Sequence, residues 1–413
     1  MHTQTLRTPV ALMRLAGLCT ITFIILLGTI AAVEAAEWRF DPVLRVAGDF
    51  DDNPLLSIRT DADNSVNGYI AEASVKAAYR SETTDFFITP RFRSLDYGSG
   101  SDLNSDDTFL RFRFNRNTVL TNFRFRGNYA DESTRTAERA DTDLDVEDPD
   151  EITDNDTGVV ALRGRRERLT LVPTFTYKFS NVNSVSLNLN YTDTRFDDVF
   201  AGLLTDYTDS RINASFRHAI SERTFTIVTA TARNYQTDQG LNETKGVGLN
   251  VGFDRALSET TRLRAIVGIE DTELSTGESD QNWVADISFV RNLKTIRILA
   301  QYRRSIAASA SGDLATRDSI NLNFSRDLND RISAGIGVRA YATHALEVGP
   351  GILDERNYVQ LRSQLTWHIS PTFSLEGNYR FTFLDRESLG ESSNSNQVTL
   401  WLSYHPTAIV RSR

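Results

Sequence analysis

The chain has 413 residues, 40% hydrophobic and 24% charged, with a formal net charge of −10. A mean hydropathy of −0.33 excludes a bundle of transmembrane helices, and 10% aromatic residues is too rich for a disordered chain. Of the 45 basic residues only Lys76, Lys178, Lys245 and Lys294 are lysines, and after Cys19 there is no cysteine.

The first element in chain order is a leader. Arg7 and Arg14 precede an apolar run from Leu15 to Val33 that ends in small residues, the pattern of a secretory signal peptide. Val33 and Ala35 suit the −3 and −1 positions, so cleavage is expected after Ala35, with Ala36 as the alternative. Residues 1–35 are then the signal; an uncleaved anchor helix is the competing reading, because the run is long enough to span a bilayer. Leu18 stands before Cys19 where lipidation needs a small residue. An exported chain without thiols cannot mispair in an oxidising compartment.

After Ala36 apolar residues recur at every second position, over segments of about ten residues separated by polar clusters. In 169–179, Leu169, Leu171, Pro173, Phe175, Tyr177 and Phe179 share one face, while Thr170, Val172, Thr174, Thr176 and Lys178 share the other. The same alternation returns in 185–192 and 373–383. One oily and one wet face fit either a soluble sheet or a membrane barrel with its oily face toward lipid.

The connections separate these two. Short turns are expected at 81–84, 115–118, 180–183, 221–223, 258–260, 291–294, 327–330 and 370–372, with longer loops rich in Asp, Gly, Ser and Asn between them. Several share wording, as in Ile220-Ser221-Glu222-Arg223, Leu257-Ser258-Glu259-Thr260 and Ile369-Ser370-Pro371-Thr372. Alternating short and long connections mark an outer-membrane barrel with short periplasmic turns and long extracellular loops. Eight short turns, a first strand from Trp38 and a last ending at Tyr404 make about 18 antiparallel strands. The predicted fold is therefore an all-β transmembrane antiparallel barrel over 36–404, with 405–413 as a short periplasmic tail. A barrel of this size leaves room for an aqueous channel. The strand at 396–404 ends on Tyr404, like the aromatic-ended signal read by the barrel-assembly machinery, but nine residues follow it.

Two constellations stand out. Arg-Phe-Arg occurs on strands 3, 4 and 5 as Arg91-Phe92-Arg93, Arg111-Phe112-Arg113 and Arg124-Phe125-Arg126. Period-two geometry sends each phenylalanine to lipid and all six arginines to the lumen. Arg262, Arg264, Arg297, Arg339, Arg362 and Arg380 fall on wet faces of later strands. Guanidinium forks fit carboxylates and phosphates, and such walls favour anions. The competing reading pairs them with luminal acids such as Glu270, Asp286 and Glu376. The second constellation is the loop 131–158, where twelve acids between Asp131 and Asp156 face two arginines, Arg135 and Arg139. Asp141, Asp143 and Asp145 open like a calcium loop, but Val146 and Ile152 replace the glycine and glutamate an EF-hand needs. Asp141, Asp143, Asp145, Glu147 and Asp148 remain candidates for looser cation binding, shared with lipopolysaccharide phosphates, or for gating if the loop folds inward. A solvated loop is the simpler reading. No metal site is established and no cofactor is expected.

Enzymatic chemistry is not expected. His218 lies near Ser215 and Asn213 in sequence but on the opposite strand face, so a barrel-hydrolase trio cannot converge there. His344 has no acidic partner at motif spacing. Dispersed basic residues and acidic loops also disfavour nucleic acid.

With these residues in hand, the chain resembles a family of proteobacterial outer-membrane barrels associated with exopolysaccharide and exosortase (PEP-CTERM) gene clusters. The resemblance rests on Asp51-Asp52-Asn53-Pro54, Thr89-Pro90-Arg91, Asp131-Glu132-Ser133-Thr134-Arg135 and the Ser-Glu-Arg or Ser-Glu-Thr turns. It implies an integral barrel in a Gram-negative outer membrane, among lipid and lipopolysaccharide, serving as the outermost conduit for a secreted polysaccharide beside other export components. It carries over no catalytic residues. The expectation is a porin-like passive conduit for polar or anionic saccharide; the alternative is a structural or surface-interaction barrel that transports nothing.

Overall fold

The computed structural model describes residues 36–57, 65–98, 101–138, 164–197, 204–237, 243–273, 277–309, 312, 314–346, 355–386 and 390–412. The proposed signal at 1–35 lies outside them. The alternating segments form eighteen long antiparallel strands. These are β1 (Glu37–Asp51), β2 (Val66–Arg80), β3 (Thr84–Asp96), β4 (Ser105–Asn117), β5 (Thr121–Ser133), β6 (Arg165–Lys178), β7 (Asn183–Phe196), β8 (Tyr207–Ser221) and β9 (Thr224–Thr237). They continue as β10 (Glu243–Ser258), β11 (Thr261–Glu273), β12 (Ser279–Asn292), β13 (Ile296–Ala308), β14 (Leu314–Asn329), β15 (Ile332–Ala345), β16 (Arg356–His368), β17 (Phe373–Arg386) and β18 (Glu391–Tyr404). Each pairs with its sequence neighbours, and β18 pairs back onto β1, so the wall closes. Among the described residues no helix is long enough to cross a membrane; the crossing is made by strands.

The register sets the dimensions. Followed from strand to strand around the wall, the pairing returns to β1 displaced by about 22 residues. With strands about 4.8 Å apart and about 3.3 Å per residue, that stagger tilts them by about 40° and gives a wall radius of about 18 Å.

The outward face carries the exposed apolar residues, among them Leu44, Val46, Phe92, Leu187, Val251, Leu322, Leu365 and Leu400. The inward face carries buried polar ones such as Thr231, Asn321, Gln360 and Thr399. That inversion of a soluble core is what a lipid solvent demands. Near the short-turn end the outward aromatics pack on one another. Trp38 lies 5.1 Å from Tyr79, Phe112 bridges Phe86 and Phe125 at 5.3 and 5.2 Å, and Phe373 lies 4.9 Å from Tyr404. The serines of the turns accept backbone N–H groups the tight bend would orphan: Ser180 Oγ from Asn183 (3.0 Å) and Ser370 Oγ from Phe373 (3.0 Å).

The segment after Tyr404 is more than a tail. Ile409–Ser412 form a short strand, β19, which pairs with Glu37–Phe40 of β1 beyond the end of β18. Pro406, which has no N–H to donate, sits in the break between β18 and β19.

Three elements turn into the barrel at the long-loop end. The loop after β1 brings Leu56, with a positive φ of 48°, onto Tyr341, Tyr358 and Leu384 of β15–β17. After β5 a short helix, α1 (Thr134–Glu138), buries Thr134, Arg135 and Ala137. Finally, β12 and β13 pair only between Ala285 and Asn292, although β13 and β14 stay paired up to Ala308 and Leu314. The freed end of the β13–β14 hairpin leans across the lumen, where Ile306 and Leu314 pack on Tyr207 and Tyr235 of β8 and β9.

Candidate functional site

Cross-strand register places all six arginines of the Arg-Phe-Arg segments on the luminal face. Arg93 stands opposite Asp107, Arg111 opposite Thr89 and Asn128, Arg124 opposite Asn115, and Arg113 directly opposite Arg126. The intervening phenylalanines face out, with Phe92 48% exposed and Phe112 and Phe125 in the outer aromatic stack. Because β3 and β5 ascend while β4 descends, the six do not form a ring at one level. Arg91 and Arg93 sit near mid-height, and Arg113, Arg124 and Arg126 sit closer to the short turns.

Their electrostatic surroundings differ accordingly. Glu72 of β2 collects Arg93 (3.0 Å), Arg91 (3.7 Å) and Arg45 (3.7 Å), and Arg45 also reaches Glu376 of β17 (3.3 Å). Arg91 lies 4.1 Å over the Phe109 ring, and Arg113 and Lys76 lie 5.2 and 4.8 Å from the centre of the Phe87 ring. Among the described residues no carboxylate lies within ion-pair distance of Arg111, Arg124 or Arg126. Arg113 and Arg126 are cross-strand partners of like charge, and the Arg113 guanidinium turns toward Phe87 on the other side of its strand.

Elsewhere arginines are matched to acids. Asp254 receives Arg262 (Nε–Oδ1 2.7 Å) and Arg217 (3.3 Å), Asp286 receives Arg303 (3.3 Å), and Glu270 lies 3.8 Å from Arg211. Arg380 donates to Gln397 (3.1 Å). Asp286, Glu376 and Glu270 thus take basic partners, though not the Arg-Phe-Arg residues. Near the long-loop end Arg317, Arg339 and Arg356 surround Tyr341 at 4.6, 5.8 and 5.4 Å, and Tyr341 stacks on Tyr358 at 4.8 Å.

The inward elements are tied down by polar contacts that periodicity does not reveal. Arg135 of α1 reaches Asp51 of β1 (3.3 Å), which also accepts Ser395 Oγ (2.8 Å). Beside it Asp49 accepts Tyr97 Oη (2.8 Å), Gln397 Nε2 (2.8 Å) and Thr399 Oγ1 (2.7 Å). Buried Arg233 grips Asp209 through Nε and Nη2, both at 2.8 Å, and its Nη1 donates to the Ile306 carbonyl (3.0 Å) of the leaning hairpin. The luminal aromatics were also hidden by simple alternation. Their signal is a local break in it, the adjacent apolar pairs Phe86-Phe87 and Phe109-Leu110.

The acidic-loop candidates Asp141, Asp143, Asp145, Glu147 and Asp148 lie outside the described residues; only the start of that loop, through α1, is seen, and it turns inward. Among the described residues no group of three potential metal ligands converges. His218 faces outward, bonded to Asn183 (2.7 Å), while Ser215 pairs with Thr229 inside.

No family model and no curated protein matches the chain. Solved structures do resemble it. Pseudomonas aeruginosa OpdQ aligns over 90% of this chain and 98% of its own at 8% identity and a TM-score of 0.46. The outer membrane protein OpdK of the same organism aligns over 91% and 99% at 9% identity and 0.46. The outer membrane channel DcaP of Acinetobacter baumannii aligns over 90% and 97% at 12% identity and 0.41. The fold assignment rests on the strand pairing itself, which closes eighteen antiparallel wall strands into an outer-membrane-type β-barrel.

Proposed function

We propose that this protein is a porin-like passive conduit of the outer membrane, selective for polar and anionic solutes, with acidic saccharide as the substrate class and polysaccharide export as its setting. The observation that carries the reading is the luminal patch of Arg111, Arg124 and Arg126, which has no neutralising carboxylate among the described residues and adjoins the like-charge pair Arg113 and Arg126. Such a patch concentrates anions near the short-turn end, while Leu56, α1 and the β13–β14 hairpin narrow the path at the other. The described start of the acidic loop, through α1, turns inward at that end. The export setting is supported by the sequence resemblance alone.

The test is planar-bilayer recording of the purified barrel under a salt gradient. Stable steps with an anion-selective reversal potential support the conduit; cation-selective steps refute it. A second reading, a structural or surface-interaction barrel that transports nothing, is favoured by the hairpin itself, because Tyr235, Ile306 and Leu314 are buried where an open channel would be wet. Persistent electrical silence of correctly folded protein selects that reading. Loss of secreted polysaccharide in a deletion strain tests the export setting separately.

A further inference from the structure

The lipid-facing side of the barrel carries a repeat that the lumen does not use. Just above three successive short turns, the outward face of β10 presents Phe253, Arg255 and Leu257, and β12 with its turn presents Phe289, Arg291 and Leu293. The outward face of β14 presents Phe324, Arg326 and Leu328 in the same order. All three arginines are exposed. Their partners across the ladders are Thr224 and Leu263 for Arg255, Thr261 and Ile298 for Arg291, and Ile296 and Ala334 for Arg326. Every one of those is uncharged, and no carboxylate among the described residues forms an ion pair with any of the three arginines.

The equivalent step before the turn holds Tyr177 on β6 and Trp367 on β16, and β18 ends on Tyr404; on β8 it holds His218, and the outward face of β4 ends in Phe114 and an exposed Arg116. Rings of this kind mark the level where acyl chains give way to headgroups. The arginines therefore stand at the same boundary, with a phenylalanine on the acyl side and an aliphatic residue at the turn. An outward arginine there costs little, whereas at the bilayer centre it would cost several-fold more. Successive arginines lie two strands apart, about 10 Å, so each can serve a different lipid.

We propose that this arc across β10–β14 is a binding seam for the phosphate groups of anionic glycerophospholipids in the periplasm-facing leaflet. The guanidinium fork matches a phosphate in shape and charge, and the phenylalanine above it packs on the acyl chains of the same lipid. The full Phe-x-Arg-x-Leu repeat occurs only on β10, β12 and β14 among the described strands, whereas Arg116 on β4 stands alone below Phe114. The seam does not depend on what passes through the lumen.

The experiment uses the intact barrel in phosphatidylcholine vesicles containing trace spin-labelled phosphatidylglycerol or spin-labelled phosphatidylcholine. The motionally restricted fraction of each probe is read by electron paramagnetic resonance. Wild-type protein is expected to prefer phosphatidylglycerol by about five-fold, and the preference falls as salt rises to about 0.5 M. In R255Q/R291Q/R326Q it drops toward equality, and in R255K/R291K/R326K, where the charge remains, most of it persists. Equal restriction of both probes by wild-type protein, or an undiminished preference in the glutamine variant, overturns the proposal. The salt series on wild-type protein decides the matter even if the glutamine variant does not fold.

Discussion

Arg233 is the place where folding energy and the shape of the lumen meet. Its guanidinium spends two donors on Asp209 in a bidentate pair and a third on the Ile306 carbonyl four strands away. Arg233→Met keeps the approximate length and removes the fork. It leaves Asp209, 23% exposed at its side chain, without its bidentate partner, with the more distant Arg211 and Arg168 still acting on it. Breaking a buried pair from one side costs about 3–5 kcal/mol. Partial solvation of Asp209 moves the expectation to the lower bound, and the Ile306 carbonyl keeps Arg211 as a donor at 3.3 Å. The expected loss is therefore about 3 kcal/mol, a shift of about 1 M in urea midpoint for a slope near 3 kcal/mol/M. The assay is urea unfolding of the refolded barrel followed by tryptophan fluorescence. Replacing both partners, as in R233M/D209L, should restore most of the loss, because the carboxylate is no longer left without its fork and Arg211 keeps Glu270 at 3.8 Å. A single-variant cost below about 1 kcal/mol, or a double variant as unstable as the sum of the singles, would refute the latch.

Three further outcomes follow from other parts of the wall. R111Q/R124Q/R126Q should lower the anion-over-cation permeability ratio at least about three-fold in planar bilayers, and an unchanged reversal potential would remove this patch from the selectivity mechanism. Deleting residues 405–413 strips the β19 partner from Glu37–Phe40. That should cost about 1–3 kcal/mol and lower the temperature at which the barrel loses its compact gel mobility; an unchanged transition would show that β19 adds nothing to the seam. Gly252→Val should destabilise by at least about 2 kcal/mol, because a Cβ there would lie 2.2 Å from the Ala265 carbonyl oxygen, in a backbone that cannot yield. Gly377→Ala, with nothing within 4 Å of the new carbon, should be near neutral in the same unfolding assay.

The wall is legible in the sequence because a lipid solvent imposes a strict period of two, and because a hairpin turn must place Ser, Asn or Asp where backbone N–H groups need acceptors. Ser180 and Ser370 show that chemistry directly. What was not legible depends on contacts between strands far apart around the circumference. Nothing local in Ile306 or Leu314 says that their hairpin leaves β12 and crosses to Tyr235; the departure shows only once register is known, in the pairing that stops at Ala285. The fate of each luminal arginine is likewise a register question. Glu72 pairs with Arg91 and Arg93 because β2 lies beside β3, whereas Arg111, one strand further on, faces Thr89 and Asn128. Two arginines of identical local sequence thus end in opposite electrostatic roles. The outward arginines Arg255, Arg291 and Arg326 make the complementary case. They are strictly local, each two residues before the aliphatic residue at a turn, and they become visible once the turns are used as a ruler. Periodicity alone treats them as interruptions of an oily face. Measured from the turn, they fall at the one depth where a lipid-facing cation is cheap and has a phosphate to meet.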